Sequence, residues 1–206
     1  MPPEAACAAL AVSRETGERL ATYLELLGRW QRRINLVAAS TLADPWRRHI
    51  LDSGQLARLA PPGARVWADL GSGAGLPGLV LAILGVPEMH LVESDQRKAA
   101  FLREAARVTG AAVTVHATRI ESAILPALNV VTARALAPLD RLLPLAAPHL
   151  GKDVTAIFPK GRQAQHELTK ARAHWHMTAG IVPSLSDPQA SILVLQGVSR
   201  VRSAAV

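Results

Sequence analysis

Apolar and polar positions change their rhythm once along this chain, just after residue 60. Before that point apolar residues recur at helical spacing. Leu20, Tyr23, Leu24, Leu27, Trp30 and Ile34 fall along one helix, which Ser13 can cap. Asp44-Pro45 opens a second helix, a capping residue followed by proline in the first turn, with Trp46, Ile50, Ser53 and Leu56 on one side. The break Ala60-Pro61-Pro62-Gly63 closes this helical section, residues 1–60. Beyond it, short apolar runs occupy 66–70, 89–93, 113–117, 129–133, 153–158, 176–182 and 191–197. Helices are expected between the first five runs, at 78–85, 96–109, 119–125 and 138–149, with another at 163–174. Alternating strands and helices predict an α/β fold, a doubly wound and mostly parallel sheet of seven strands. The last two runs are joined only by the turn-rich Pro183–Pro188, so the sheet should end in an antiparallel pair. Residues 61–206 are expected to form one compact unit behind the helical section.

The chain is organised around 65–78, RVWADLGSGAGLPG. An apolar strand carrying Asp69 runs into Gly71, Gly73 and Gly75, and Pro77-Gly78 marks the start of a helix. Glycine reaches positive φ cheaply and lets a ligand approach the backbone. The N–H groups opening the helix add donors and a positive dipole end. Gly73, Gly75 and Gly78 satisfy G-x-G-x-x-G, the dinucleotide pattern, while Asp69, Gly71, Gly73 and Gly75 satisfy D-x-G-x-G-x-G. The second pattern resembles motif I of the class I S-adenosylmethionine-dependent methyltransferases, which have a Rossmann-like sheet. A six-strand dinucleotide fold would not need the closing hairpin, so the loop tilts towards S-adenosylmethionine.

In open α/β sheets ligands bind beyond the carboxyl ends of the strands. Glu93 ends the second run, twenty residues after Gly73, where a carboxylate can accept both ribose hydroxyls; an exposed acid in a turn is the plainer alternative. Arg119-Ile120-Glu121 follows the third run. Ile120 can pack on adenine, whereas Glu121 by itself reads as a helix N-terminal acid. Arg134 follows the fourth run and is costly to bury unpaired; the cofactor carboxylate, Glu121 or an RNA phosphate could meet it. Lys160 and Arg162 follow the fifth.

Charge adds a partner class. The formal net charge is +7, with 19 arginines against four lysines. Arginine grips phosphate bidentately and stacks on bases, which favours a polyanion, although an Arg- and Ala-rich composition can also reflect codon bias. Arg47, Arg48, Arg119, Lys160 and Arg162 are the candidate phosphate contacts. Cys7 is the only cysteine, which excludes an internal disulfide and a cysteine zinc site. His174 and His176 flank Trp175 in a strand-like run and read as surface or packing histidines, so no metal is expected. No apolar stretch is long enough for a membrane span and no basic leader precedes Glu4, so a cytoplasmic protein is expected.

The reaction is narrowed by what is missing. Thr132-Ala-Arg134-Ala is not the Asn/Asp-Pro-Pro-aromatic loop of exocyclic amine methylation. It also lacks the aspartate of the Lys-Asp-Lys-Glu ribose set, and Cys7 lies far in sequence from the expected cleft. Ring nitrogen 7 of guanine has a free lone pair and requires no proton removal, so positioning and electrostatics suffice. No general base is assigned; Arg134 is the candidate for a positioning role. A small-molecule methyltransferase would need an enclosed apolar lid that this helical section does not obviously provide.

Across residues 30 to 165 the chain resembles one family, the bacterial 16S rRNA (guanine(527)-N(7))-methyltransferases, formerly glucose-inhibited division protein B. The matching residues are Ile34–Val37, Arg48-His-Ile-Leu-Asp52-Ser53, Asp69–Gly78, Glu93-Ser94, Arg97-Lys98, Phe101–Arg103, Arg119–Glu121, Thr132–Ala135 and Pro159–Gly161. The resemblance implies that Gly71, Leu76, Ile120, Glu121 and Arg134 contact S-adenosylmethionine. It also implies that the basic rim meets 16S ribosomal RNA or the small subunit, with no obligate protein partner evident. His49 and Asp52 lie three apart on a helix, and a His–Asp hydrogen bond bracing the helical section is expected. The match loosens from His166 onward, and Asn129 stands where the family often has an acid; little effect is expected from that change.

Overall fold

Ser13 caps the first long helix as its sequence suggests. In the computed structural model, which describes residues 1–201, its Oγ accepts from the Thr16 N–H at 3.2 Å. That helix, α2 (Arg14–Gln31), follows a short α1 (Pro3–Leu10) and buries Leu20, Tyr23, Leu26 and Leu27; Leu24 and Trp30 are only partly buried. The second helix, opening after Asp44-Pro45, is irregular. A π-helical stretch Trp46–Leu51 passes into one α-turn, α3 (Asp52–Gly54), and then a 3₁₀ stretch Gln55–Leu59.

The seven expected strands form: β1 (Val66–Leu70), β2 (Glu88–Val92), β3 (Val113–His116), β4 (Val130–Thr132), β5 (Thr155–Lys160), β6 (Trp175–Pro183) and β7 (Ser191–Arg200). They make one sheet in the order β3-β2-β1-β4-β5-β7-β6, parallel except for β7, which runs antiparallel to both neighbours. The order reverses direction between β1 and β4. That is the switch point where a doubly wound sheet opens a crevice at its carboxyl edge.

Period-two alternation sorts the strand residues between two cores. Trp67, Met89, Leu91, Val130, Ile157 and Ile192 face one side, where they pack with α2, the Trp46–Leu59 segment, α4 (Gly78–Ile83) and α5 (Gln96–Thr109). Leu70, Val92, Val131, Phe158, Leu193 and Leu195 face the other, against α6 (Leu139–Ala146) and α7 (Ala164–Ala171). Residues from α2 therefore share a core with β1 and α5; Trp30 and Tyr23 flank Phe101 at ring separations of 5.6 and 6.4 Å.

Two expected helices are shorter than their patterns. Residues 119–125 form only a 3₁₀ turn, Ile120–Ser122, and the backbone is already extended at Ala123. The 138–149 helix ends as α at Ala146 and tightens to 3₁₀ over Ala147–His149, next to two prolines, Pro144 and Pro148. No helix among the described residues is long and apolar enough to cross a membrane.

Candidate active site

The loop between β1 and α4 is held from three sides. Gly71, Gly73 and Gly75 adopt φ of +68°, +54° and +83°, in the left-handed region that glycine enters without strain. From below, Asp69 is fully buried. Its Oδ2 accepts from the Gly78 N–H at 3.1 Å and its Oδ1 from the Thr132 hydroxyl at 2.8 Å. Burial raises the Asp69 pKa to about 6, against the pull of its hydrogen bonds and the Arg134 charge. From β2, Glu93 Oε2 accepts from the Gly73 N–H and Oε1 from the Asp95 N–H, both at 2.8 Å. From α2, the buried Tyr23 hydroxyl donates to the Ala74 carbonyl at 2.7 Å. Burial also drives the Tyr23 hydroxyl upward in pKa, so it remains a donor.

Gly71, Gly73, Leu76, Glu93, Ile120, Glu121 and Arg134 line one cavity of about 800 Å³ at the carboxyl edge of the sheet. These cofactor candidates, scattered over more than sixty residues, are thus brought together. Gly75 is a correction. It does not line the cavity, and a Cβ there would sit 2.7 Å from Leu79 Cβ and 3.0 Å from Leu102 Cδ2. It lets the loop pack against α4 and α5 instead of facing a ligand. At Gly71 a Cβ would meet Leu136 Cδ1 at 2.7 Å on the cleft wall. Ile120 is nearly buried and its carbonyl pairs with His149 Nε2 at 3.0 Å, while Glu121 is exposed.

Among the described residues Arg134 pairs with Asp52 and not with Glu121. Its Nη1 donates to Asp52 Oδ2 at 2.8 Å and to the Arg48 carbonyl at 3.1 Å. Asp52 Oδ1 in turn accepts from the Ser186 hydroxyl at 2.5 Å. Gln55 bonds the Ser184 hydroxyl and the Leu185 N–H, and Arg48 lies 3.5 Å from Asp187. The β6–β7 connection is thereby stitched to the helical section, and Asp52, Ser184, Ser186 and Asp187 line the cavity with Glu93. The expected His49–Asp52 bond is not formed. The wider i→i+5 turn at 46–51 rotates residues three apart off a common face, and His49 Nε2 meets Thr41 Oγ1 at 3.1 Å instead. Burial and the nearby Arg134 lower the His49 pKa to about 4, so the ring is neutral.

The basic candidates divide. Arg48, Arg119 and Lys160 line the cavity, and Arg47 and Arg162 are exposed outside its lining. Lys160 departs from expectation. Its side chain is 8% exposed and its ammonium is committed to Glu167 at 3.0 Å and the Ala137 carbonyl at 2.8 Å, so it braces the loop after β5 rather than standing free on the rim. Lys98, not singled out from the sequence, does line the cavity. Tyr23 was also missed as a loop contact; a polar-tipped aromatic on the apolar face of α2 was its only signal. Asn129 lies outside the cavity lining; its side-chain oxygen accepts from the N–H groups of Arg65 and Val66 and so anchors the start of β1, a role open equally to an acid.

Residues 16–193 match the model of the GidB family, described as rRNA small subunit methyltransferase G. The chain belongs to this family. It is 59% identical to the ribosomal RNA small subunit methyltransferase G of Rhodospirillum centenum, over 93% of this chain and 89% of that protein. It is 56% identical to the protein of the same description from Paramagnetospirillum magneticum, over 98% and 99%. Among solved structures, the glycopeptide N-methyltransferase MtfA complexed with S-adenosylmethionine is similar in fold, with a TM-score of 0.58, 11% identity, and coverage of 71% of this chain and 93% of that one. The family's matched segment thus takes in α2 and Tyr23, the glycine loop, the Asp52–Arg134 pair and most of the β6–β7 hairpin.

Proposed function

We propose that the protein transfers a methyl group from S-adenosylmethionine to ring nitrogen 7 of guanine-527 in 16S ribosomal RNA, in the cytoplasm. The observation that carries the cofactor is the Glu93–Gly73 bond across a cleft floored by glycine. Each Glu93 oxygen holds one backbone N–H and retains lone-pair capacity for a ribose hydroxyl. At Gly73 a Cβ would meet nothing nearer than the Gly71 carbonyl oxygen at 3.9 Å, so that open face admits a ligand against the backbone. The residues present therefore fit the cofactor. Glu93 would hold the ribose, Ile120 and Glu121 the adenine, and the backbone of Gly71 and Gly73 with Leu76 the methionine part. Arg134 would stand where cofactor and substrate meet. Family membership and the +7 charge support the RNA substrate.

S-adenosylmethionine supplies an electrophilic methyl group on a sulfonium centre. The guanine N7 lone pair forms the new N–CH₃ bond as the S–CH₃ bond breaks, and positive charge passes from sulfur to the base. No proton leaves N7, so the chain has to orient the two reactants in line and exclude water; it need not supply a base. Arg48, Arg119 and the exposed Arg47 and Arg162 would hold the RNA backbone. The test is methyl transfer from labelled S-adenosylmethionine to small subunits from cells lacking the activity, with the product nucleoside identified by mass spectrometry. 7-Methylguanosine at the single position, lost in Arg134→Ala, is expected. Cofactor binding without transfer to subunits or RNA would overturn the reading and turn attention to a small-molecule substrate.

A further inference from the structure

The part of the cavity lined by Thr41, His49 and Asp52 is rich in hydrogen-bond acceptors. Asp52 receives one donor on each oxygen, from Ser186 at 2.5 Å and Arg134 at 2.8 Å, and its side chain remains 19% exposed. An ionised carboxylate has about four lone-pair sites, so two are left for a ligand. Beside it, the single proton of the Thr41 hydroxyl goes to the Ala38 carbonyl at 2.6 Å. Thr41 Oγ1 must therefore accept from His49 Nε2–H, which leaves Nδ1 of the neutral ring with a bare lone pair. That buried nitrogen has no hydrogen-bond partner among the described residues. The other carboxylates of the cavity are placed elsewhere. Glu93 is tied to the glycine loop, Glu121 lies with Ile120 on the cofactor side, and Asp187 faces Arg48.

Such a wall suits N–H donors. Guanine carries N1–H and a 2-amino group on the edge remote from N7, whereas adenine has a bare N1 and no amino group at that carbon. An acceptor gripping that edge leaves N7 turned towards the methyl group. Resting on the guanine reading above, we propose that Asp52 is a specificity-determining residue whose carboxylate takes the N1–H and 2-amino hydrogen bonds of the target guanine, held in place by Ser186 and Arg134. This gives the helical section a part in choosing the base. It also gives a reason why the β6–β7 connection is tied to that section at Asp52.

The test pairs a variant with a base analogue. Inosine lacks only the 2-amino group and keeps N7. Wild type and Asp52→Asn are compared on small subunits reconstituted with rRNA carrying guanosine or inosine at the target position. Wild type should lose about tenfold or more in kcat/KM on inosine, the usual consequence of leaving a charged acceptor unpaired. Asp52→Asn should be slower on guanosine yet separate the two bases by less than about threefold, since the carboxylate that reads the amino group is gone. Its affinity for S-adenosylhomocysteine should stay within about twofold of wild type, which a general loosening of the cleft would not preserve. Equal discrimination by wild type and variant, or none by wild type, would overturn the proposal. If Asp52→Asn does not fold, Ser186→Ala is read instead: it leaves the Arg134 pair and should reduce discrimination about threefold, and full retention would overturn the proposal. Absence of transfer to the guanosine subunit would overturn the underlying reading of the substrate.

Discussion

Glu93 reaches Gly73, twenty residues away, and Asp95, two residues away, whereas Asp52 meets Arg134 from 82 residues away and Ser186 from 134. The two acids line one cleft but are built in opposite ways. Glu93 closes a short circuit of backbone N–H groups between adjacent parallel strands, so its geometry follows from a βαβ unit. The Asp52 carboxylate is fixed by two side chains from distant parts of the chain, Arg134 and Ser186, and by no backbone N–H. The cofactor half is rigid by local construction. The opposite half depends on assembly, which leaves it open to tuning for a substrate.

Glu93→Gln should sharpen this contrast most. An amide offers one acceptor oxygen for two N–H groups, and the displaced bond costs about 2–3 kcal/mol, or roughly 100-fold in affinity for S-adenosylhomocysteine by calorimetry. Next are two pH effects of opposite sign, one in each half. Asp69 has its folded pKa raised to about 6, so its proton contributes stability at pH 4 that is lost as pH rises through 6. Relative to wild type, Asp69→Asn should gain ~2 kcal/mol between pH 4 and pH 7 in denaturant titrations, whatever its fixed offset. His49 has its folded pKa lowered to about 4, so the native state refuses a proton that the unfolded chain accepts near 6.5. His49→Gln should therefore gain ~3 kcal/mol relative to wild type as pH falls from 7 to 4. Parallel trends in the two variants would show that these groups do not titrate as their surroundings require.

Gly78→Ala comes third. Its Cβ would lie 2.4 Å from Leu91 Cδ2 and 2.6 Å from Asp69 Cβ, and overpacking at such a site costs about 1–3 kcal/mol, read as a lowered denaturation midpoint. Arg119→Ala should have the smallest effect. Fold and cofactor affinity stay unchanged, while the slope of RNA affinity against salt falls by about one. An unchanged slope would remove Arg119 from the phosphate contacts.

The strands, their mixed order at the end of the sheet, and the glycine loop with Glu93 were legible because each is written in contiguous residues. Period-two runs, alternate glycines and an acid ending the next strand are local patterns, and backbone sterics turn them into one geometry. The shortened helix at 119–125 was less legible, since the apolar pattern ran on past the single 3₁₀ turn that ends at Ser122. The contacts of Tyr23, Lys160 and Gly75 were not legible for one reason. Their types were clear, but whether each faced the cleft, the core or a partner depended on elements far away in the chain. The partners of Arg134 and Asp52 belong to the same class. A buried charge must be paired, and the sequence alone says that a partner is required; only the packing of the irregular Trp46–Leu59 segment against the β6–β7 connection decides which one is within reach.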